Sequence, residues 1–368
     1  MKIDVEISSK FKNKKILIAA GGTGGHIFPA LAQGHYFQQL GAKVYWLGSE
    51  YGLEKKIVPE YFPIEYLSFT GIRKKGLKRY LSAPFSLLNA IFQAKKIIKK
   101  HQVDLVIGFG GYVAAPTGLA AKFLRKPLII HEQNARSGLT NRLLAKFANE
   151  VLSAFQTANL PAKKLKVVGN PLRQEILDLY DVDKKFFKDN SLKVLVTGGS
   201  QGAKILNELV PKAIKCLKSD YQVQSIEVFH QSGQPMFDQV KKAYNNLDKV
   251  TVDVFIKDMK RAYQWADVII CRSGALTVSE VETVGIPAIF IPYPFAVDDH
   301  QFYNAEMLVK QQAAICIRQE NLDEIKLAEI LLQFTQKPQK LNEMSSSAKK
   351  CAKIQATSEI SSVVAKYL

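Results

Sequence analysis

One pattern occurs twice in this chain and restricts its fold more than any other feature: an apolar run, a glycine turn and a helix start. Ile16 to Ala20 is short, apolar and β-branched, and reads as a buried parallel strand. Gly21, Gly22, Gly24 and Gly25 then allow a tight turn and a close approach to a ligand, because no Cβ intervenes. Pro29 and the apolar residues after it open a helix, which places the loop at a helix N-terminus. Unpaired N–H groups and the positive end of the dipole there favour an anion, typically phosphate. Val194 to Thr197 followed by Gly198, Gly199, Ser200 and Gly202 repeats the design 177 residues downstream (198 − 21). A third loop, with Gly108, Gly110, Gly111 and Tyr112, follows the strand Asp104 to Ile107. Any one such loop could be a turn that binds nothing. Two of them half a chain apart imply two similar halves with a cleft between them.

The 368 residues suffice for two domains, and 47% hydrophobic with 23% charged residues supplies two cores of a globular protein. Fifty-one basic against 33 acidic residues leave a net charge of +18. That favours an anionic partner: nucleic acid, an anionic membrane face or phosphorylated small molecules. Cys216, Cys271, Cys316 and Cys351 are widely spaced and read as reduced thiols, without the pairing of a disulfide frame or a zinc site. The first fifteen residues hold no apolar core of signal-peptide length. The uncharged stretch 105–121 is broken by glycines and Pro116, so it reads as strand, loop and helix. A cytoplasmic protein without a transmembrane helix is expected.

Strands alternate with helices along the whole chain, which predicts a parallel sheet in each half. Pro127 to Ile130 is a strand that delivers His131, Glu132, Gln133 and Asn134 to the carboxyl edge of the first sheet, where ligands bind in open α/β folds. The turn residues Gly169 to Arg173 mark the boundary, giving domains 1–168 and 169–349. Residues 341–368 read as helix.

The densest polar constellation runs from Cys271 to Glu282. Ser273 and Gly274 follow a strand, and Thr277 and Ser279 lie in the next helix's first turn. Glu280 lies one turn further in, and its two oxygens suit a pair of vicinal ribose hydroxyls. Glu282 reads as a carboxylate stabilised by the helix dipole. The adjacent Asp298 and Asp299 read as helix caps rather than metal ligands.

These segments together resemble the MurG family, the UDP-N-acetylglucosamine transferases that convert lipid I to lipid II. The resemblance covers residues 15–310 and rests on GGTGGHIFPALA, GFGGYVAAPTGLAA, HEQNARSGLTN, GNPLR, TGGSQGA, SGALTVSE, GIPAIFIPYP and DDHQFYNA. Ala114 and Ala115 stand where the family often has Ser and Gly. The resemblance implies a GT-B fold: two Rossmann-like domains with parallel sheets facing a central cleft, working without metal or cofactor. The implied donor residues for UDP-N-acetylglucosamine are Thr23, Gly24, Gly25, Asn134, Arg173, Ser200, Ile256, Ala275, Leu276, Thr277, Val278, Ser279, Glu280 and Gln301. Arg173 and Ser200 would face the diphosphate, the Ile256 backbone the uracil, Glu280 the ribose and Gln301 the N-acetylglucosamine. Gly21, Gly22, Gly110, Gly111 and Tyr112 are the candidates for the acceptor's diphosphate. Transfer from an α-linked donor to a β-linked product implies inversion in one displacement. The family also implies that residues 350–368 return to the first domain.

His26 is the candidate general base, at the end of the first glycine loop; imidazole is the side chain that titrates near neutral pH. Its rivals are His131, Glu132, Asp298 and Asp299. Residues 70–100 carry Arg73, Lys74, Lys75, Lys78, Arg79, Lys95, Lys96, Lys99 and Lys100 with no acid among them. Interleaved Leu77, Leu81, Phe85, Leu88, Ile91 and Phe92 form an apolar stripe at helical spacing. The stripe could face a core. A polyprenol-linked acceptor favours docking on anionic lipid at the cytoplasmic face of the inner membrane, as a peripheral protein. Other cell-wall synthesis and division proteins are implied partners. Three other functions compete with this reading. Another GT-B transferase with a lipid acceptor would share the loops but not HEQN or GGYV. A dinucleotide oxidoreductase needs an acid ending the second strand, and Glu50 comes slightly late. Charge alone suggests nucleic acid, and no recognition module supports it.

Overall fold

The computed structural model describes residues 5–69, 77–156, 159–160, 165–223 and 225–368. The chain divides into two compact units, Met1–Arg173 with Gln355–Leu368, and Gln174–Ile354.

The first unit holds helix α1 (Val5–Phe11), then β1 (Lys15–Ala20), α2 (Gly24–Gln39), β2 (Lys43–Ser49), α3 (Glu54–Ile57) and β3 (Ile64–Leu67). It continues with α4 (Leu77–Lys100), β4 (Leu105–Gly110), α5 (Ala114–Phe123), β5 (Leu128–Glu132), α6 (Leu139–Leu144), β6 (Glu150–Ser153) and β7 (Leu165–Val167). All seven strands pair in parallel, in the order β3-β2-β1-β4-β5-β6-β7. Both faces of the sheet are covered. Ile16, Ile18 and Phe109 pack on one side with α2, while Leu17, Val106 and Ile130 pack on the other with α4 and α5. That double burial is why these strands read as unbroken apolar runs. Helix α1 belongs to this core: Phe11 is fully buried and stacks on Phe37 at 5.5 Å.

The second unit holds α7 (Gln174–Leu177), β8 (Leu192–Thr197), α8 (Lys204–Ser219), β9 (Ile226–Gln231), α9 (Phe237–Ala243), β10 (Val250–Asp253) and α10 (Met259–Trp265). Then come β11 (Val268–Cys271), α11 (Ala275–Val284), β12 (Ala288–Phe290), α12 (His300–Lys310), β13 (Ala314–Cys316), α13 (Glu324–Gln336) and α14 (Gln339–Cys351). Its six strands are parallel in the order β10-β9-β8-β11-β12-β13. The last helix, α15 (Ala356–Val364), lies in the first unit, where Ile360 and Val364 enter the core and Ser361 Oγ accepts a 3.0 Å bond from Gln33.

Three details differ from the sequence reading. Helix α2 starts at Gly24, so Pro29 sits buried inside it rather than opening it, and Gly24, Gly25 and His26 form its first turn. The tail is two helices, because Ala352 turns to an extended conformation that ends α14. Gly169–Arg173 stays with the first unit. The buried His131 Nε2 donates to the Gly169 carbonyl at 2.9 Å, and Asn170 Nδ2 donates to Gln133 O at 3.2 Å, tying this turn to the end of β5.

Candidate functional site

Strand order reverses between β1 and β4, so the loops after these strands lie side by side at the carboxyl edge, where such sheets bind ligands. Gly111, at φ +77°, sits directly against the Gly21 carbonyl, and any side chain there would collide with it. Gly110 lies against the His26 ring, and Tyr112 borders Gly22. His26 Nδ1 is 3.3 Å from Thr23 Oγ1. The structure thus brings His26, Thr23, Gly21, Gly22, Gly110, Gly111 and Tyr112 into one cluster.

Glu54, which no motif in the sequence marks, supports this cluster. It is fully buried, and its carboxylate accepts from Gly22 N at 3.0 Å and Ser49 N at 2.8 Å. The Gly22 N–H is therefore engaged by a side chain of the protein. A dinucleotide fold would hold a ribose with an acid after β2. Here Glu54 turns inward with both oxygens bonded within the protein and is not available for that role, while Glu50, the acid nearest the strand end, is exposed.

The end of β5 supplies the other polar group of this unit. Glu132 is buried and accepts from Asn134 N (3.0 Å), Asn134 Nδ2 (3.2 Å), Gly138 N (3.1 Å) and Asn141 Nδ2 (2.9 Å). Such a carboxylate shapes a loop. His131 is wholly buried, and burial lowers its pKa to about 4. Gln133 Nε2 donates to its Nδ1 at 3.0 Å while Nε2–H donates to Gly169, so both ring nitrogens are occupied. Neither residue is placed as a base toward a ligand. Asn134 is half-buried and Arg173 is exposed, at the end of this unit's main segment.

In the second unit the reversal falls between β8 and β11, beside the second glycine loop and the start of α11. Gly202, at φ +74°, packs against the Ser232 carbonyl, leaving Gly199 and Ser200 exposed. Gln231 joins two parts of the site: its Nε2 donates to Gly199 O at 2.8 Å and its Oε1 accepts from Ile256 N at 2.8 Å. The Ile256 N–H is thus engaged within the protein. Glu280 is half-buried, and its Oε2 accepts from Tyr263 Oη at 2.9 Å.

Side chains along α11 do not all face one way. Ala275 and Val278 are buried in the unit, so only their backbone can serve a ligand, whereas Leu276 and Thr277 are partly exposed. Ser279 is buried and bonds Glu282, whose own carboxyl is held well above the ordinary range by burial. Glu282 is therefore an interior acid instead of a dipole-stabilised surface one. Gln301 Oε1 accepts from Tyr293 N at 2.9 Å, which turns its amide nitrogen outward from that bond. Arg272 fixes the same loop, donating to Ile291 O and Pro292 O, each at 2.9 Å. Asp299 occupies the N-cap position of α12 but makes no side-chain capping bond there. Asp298 and Asp299 both adopt left-handed φ, and Asp299 accepts from Arg318 at 2.6 Å.

Two parallel α/β units, each with a glycine loop at its strand-order reversal, define a GT-B glycosyltransferase. Residues 16–153 match the glycosyltransferase family 28 N-terminal domain and residues 193–360 its C-terminal domain. The chain belongs to this family, and within it to the MurG family. A relative from Francisella philomiragia is 46% identical over 348 residues, 92% of this chain and 93% of its own. One from a Shewanella strain is 46% identical over 354 residues, 95% and 96% of the two chains. Both are named UDP-N-acetylglucosamine–N-acetylmuramyl-(pentapeptide) pyrophosphoryl-undecaprenol N-acetylglucosamine transferase. The crystal structure of Acinetobacter baumannii MurG superposes with a TM-score of 0.80 at 38% identity, covering 96% of this chain and 99% of that one.

Proposed function

We propose that this chain transfers N-acetylglucosamine from UDP-N-acetylglucosamine to the MurNAc 4-hydroxyl of lipid I, forming lipid II. The observation that carries this reading is the 46% identity, over nearly the full length of both chains, to a transferase named for that donor and acceptor. The acceptor oxygen attacks the anomeric carbon, the bond to the diphosphate breaks, and its electron pair leaves with UDP. His26 takes the proton from the attacking hydroxyl. Backbone N–H groups at the start of α2 and α11, with Ser200 and Arg173, stabilise the diphosphate charge. Glu280 accepts from the ribose, the Ile256 carbonyl meets the uracil, and the Gln301 amide meets the N-acetylglucosamine. Gly110, Gly111 and Tyr112 face the acceptor's diphosphate.

A lipid-linked acceptor brings the enzyme to the cytoplasmic face of the inner membrane, and α4 supports docking there. Phe85 (76% exposed), Leu88 (53%) and Phe92 (60%) project from it, while Ala90, Ile91, Ala94, Ile97 and Ile98 fill the core. Phe123 on α5, 66% exposed, extends the patch, since Lys95 Nζ lies 5.6 Å from the Phe92 ring and 5.8 Å from Phe123. Arg73, Lys74 and Lys75 lie outside the described residues, as do the side chains of Lys78, Arg79 and Leu81. Among the described residues no helix is long and apolar enough to cross a membrane. A peripheral protein that works with other cell-wall synthesis and division proteins fits this reading.

The direct test measures UDP release from UDP-N-acetylglucosamine with and without a lipid I analogue. Release that depends on the analogue, with the sugar appearing on it, is the expected result. Oxidation of NAD(P)H, or release unaffected by the analogue, would overturn the reading.

A further inference from the structure

A glutamate that reads a ribose must hold its carboxylate still, and a free glutamate side chain has three torsions to freeze. In this protein the neighbouring helix supplies the restraint. Tyr263 on α10 is almost fully buried, and its hydroxyl donates to Glu280 Oε2 at 2.9 Å. A carboxylate is acceptor-only, so the direction of this bond is fixed.

The tyrosine is itself held from its backbone side. Lys184 Nζ, largely buried, donates to Tyr263 O at 2.6 Å and also to Ala266 O, closing the C-terminal end of α10. Asp267 just beyond accepts from Phe187 N at 3.2 Å and Lys193 N at 2.9 Å, so this end of α10 is bound to the start of β8. At its other end, α10 is capped by Asp258, which accepts from Arg261 N at 2.9 Å. Tyr263 therefore projects from a short helix fixed at both ends. Its ring is clamped in the interior, with only the hydroxyl reaching Glu280.

We propose that Tyr263 is a positioning residue for nucleotide recognition: its hydroxyl pins Glu280 in the rotamer that meets the ribose hydroxyls before the nucleotide arrives. This rests on the reading of Glu280 as the ribose acceptor. Preorganisation of this kind increases affinity without a new contact to the ligand.

The test uses calorimetry on the full chain with UDP and with 2′,3′-dideoxy-UDP, which lacks the hydroxyls Glu280 would hold. Tyr263→Phe keeps the ring and removes only the donor. It is expected to raise the Kd for UDP by about three- to tenfold, the size of one lost hydrogen bond, and to leave the Kd for the dideoxy compound unchanged. The donor KM should rise in the same proportion, with the effect falling on KM rather than kcat. Adding Tyr263→Phe to Glu280→Gln should change nothing further. If Tyr263→Phe weakens both nucleotides equally, the residue is merely structural and the proposal is wrong. If Glu280→Gln weakens UDP while Tyr263→Phe does not, positioning is refuted but the reading of Glu280 stands. If Glu280→Gln leaves the difference between UDP and its dideoxy analogue intact, the reading of Glu280 itself fails.

Discussion

The His26 ring packs against Gly110 so closely that a Cβ at residue 110 would lie 2.9 Å from its Cδ2 and 3.2 Å from its Nε2. Gly110 also has φ +101°, a conformation that side chains disfavour. Two glycine loops, after β1 and β4, thus define where the imidazole can be. Gly110→Ala should displace the ring and lower kcat by about 10²-fold, the effect of roughly 1 Å of misplacement. It should also cost about 1–3 kcal/mol of stability through backbone strain. His26→Ala should lower kcat by about 10²–10⁴ with donor affinity nearly unchanged. Steady-state kinetics beside UDP calorimetry decides this. Near-normal kcat with a raised acceptor KM in His26→Ala would reassign the residue to acceptor binding.

Glu132 is expected to behave as a loop-shaping residue and not as the base. Glu132→Gln replaces one acceptor oxygen by an NH₂ group facing the donors of Asn134, Gly138 and Asn141. A loss of about 1–3 kcal/mol follows from the unmatched donors. Thermal melts should record that loss, and the residual activity should keep the wild-type pH profile. An unchanged melting temperature with kcat down by about 10³ would return Glu132 to the list of bases.

Much of this architecture was legible in the chain. Parallel strands buried on both faces leave continuous apolar runs, and loops at the strand-order reversal need glycine, so β1, β4 and β8 with their loops could be read directly. Side-chain contacts between distant segments could not. Glu54 reaches Gly22, and Tyr263 reaches Glu280, through packing that leaves no periodic trace. The only available signal for Glu54 was an acid shortly after β2, and Glu50 lay nearer the strand. Strand β13 leaves no readable trace, because Ala314–Cys316 is too short to show a period. The stripe on α4 was visible, but a period cannot tell which face meets a core. Ala90, Ala94 and Ile98 took the inner face, leaving Phe85, Leu88 and Phe92 outside.

Acid should destabilise the protein through two buried histidines. Burial lowers His131 to about 4 and His230 to about 3, and His230 is further fixed between Tyr244 and Asn207. An unfolded histidine titrates near 6.5. Below that pH the unfolded chain takes up protons that the folded one refuses, so stability falls as pH drops from about 6.5 toward 4. Each group contributes a loss of about 2 kcal/mol between pH 7 and pH 5. Glu282, raised by burial, contributes in the opposite sense over the same range, so urea melts at the two pH values compare the wild type with His131→Gln and His230→Gln, and NMR titration tests the imidazoles directly. An imidazole of His131 or His230 that titrates near 6.5 in the folded protein would contradict this.

The α4–α5 patch should govern membrane attachment. Its exposed aromatic rings can enter the interfacial region of a bilayer, where burying apolar surface is favourable. Lys95, Lys96, Lys99 and Lys100 on α4 and Lys122 on α5 add attraction to anionic lipid, about 1 kcal/mol for each that comes near the surface. Binding should therefore need anionic lipid and weaken with salt, since the charge contribution is screened within about 10 Å at 0.1 M. Replacing Leu88, Phe92 and Phe123 together by Glu puts three charges on the patch and leaves the core residues Ile91, Ala94 and Ile97 in place. That variant should lose co-sedimentation with anionic vesicles while keeping its melting temperature and its UDP affinity. Lys95→Glu with Lys96→Glu should give a milder loss that disappears at high salt. If the triple variant, still folded, sediments with vesicles as the wild type does, this face is not the docking surface.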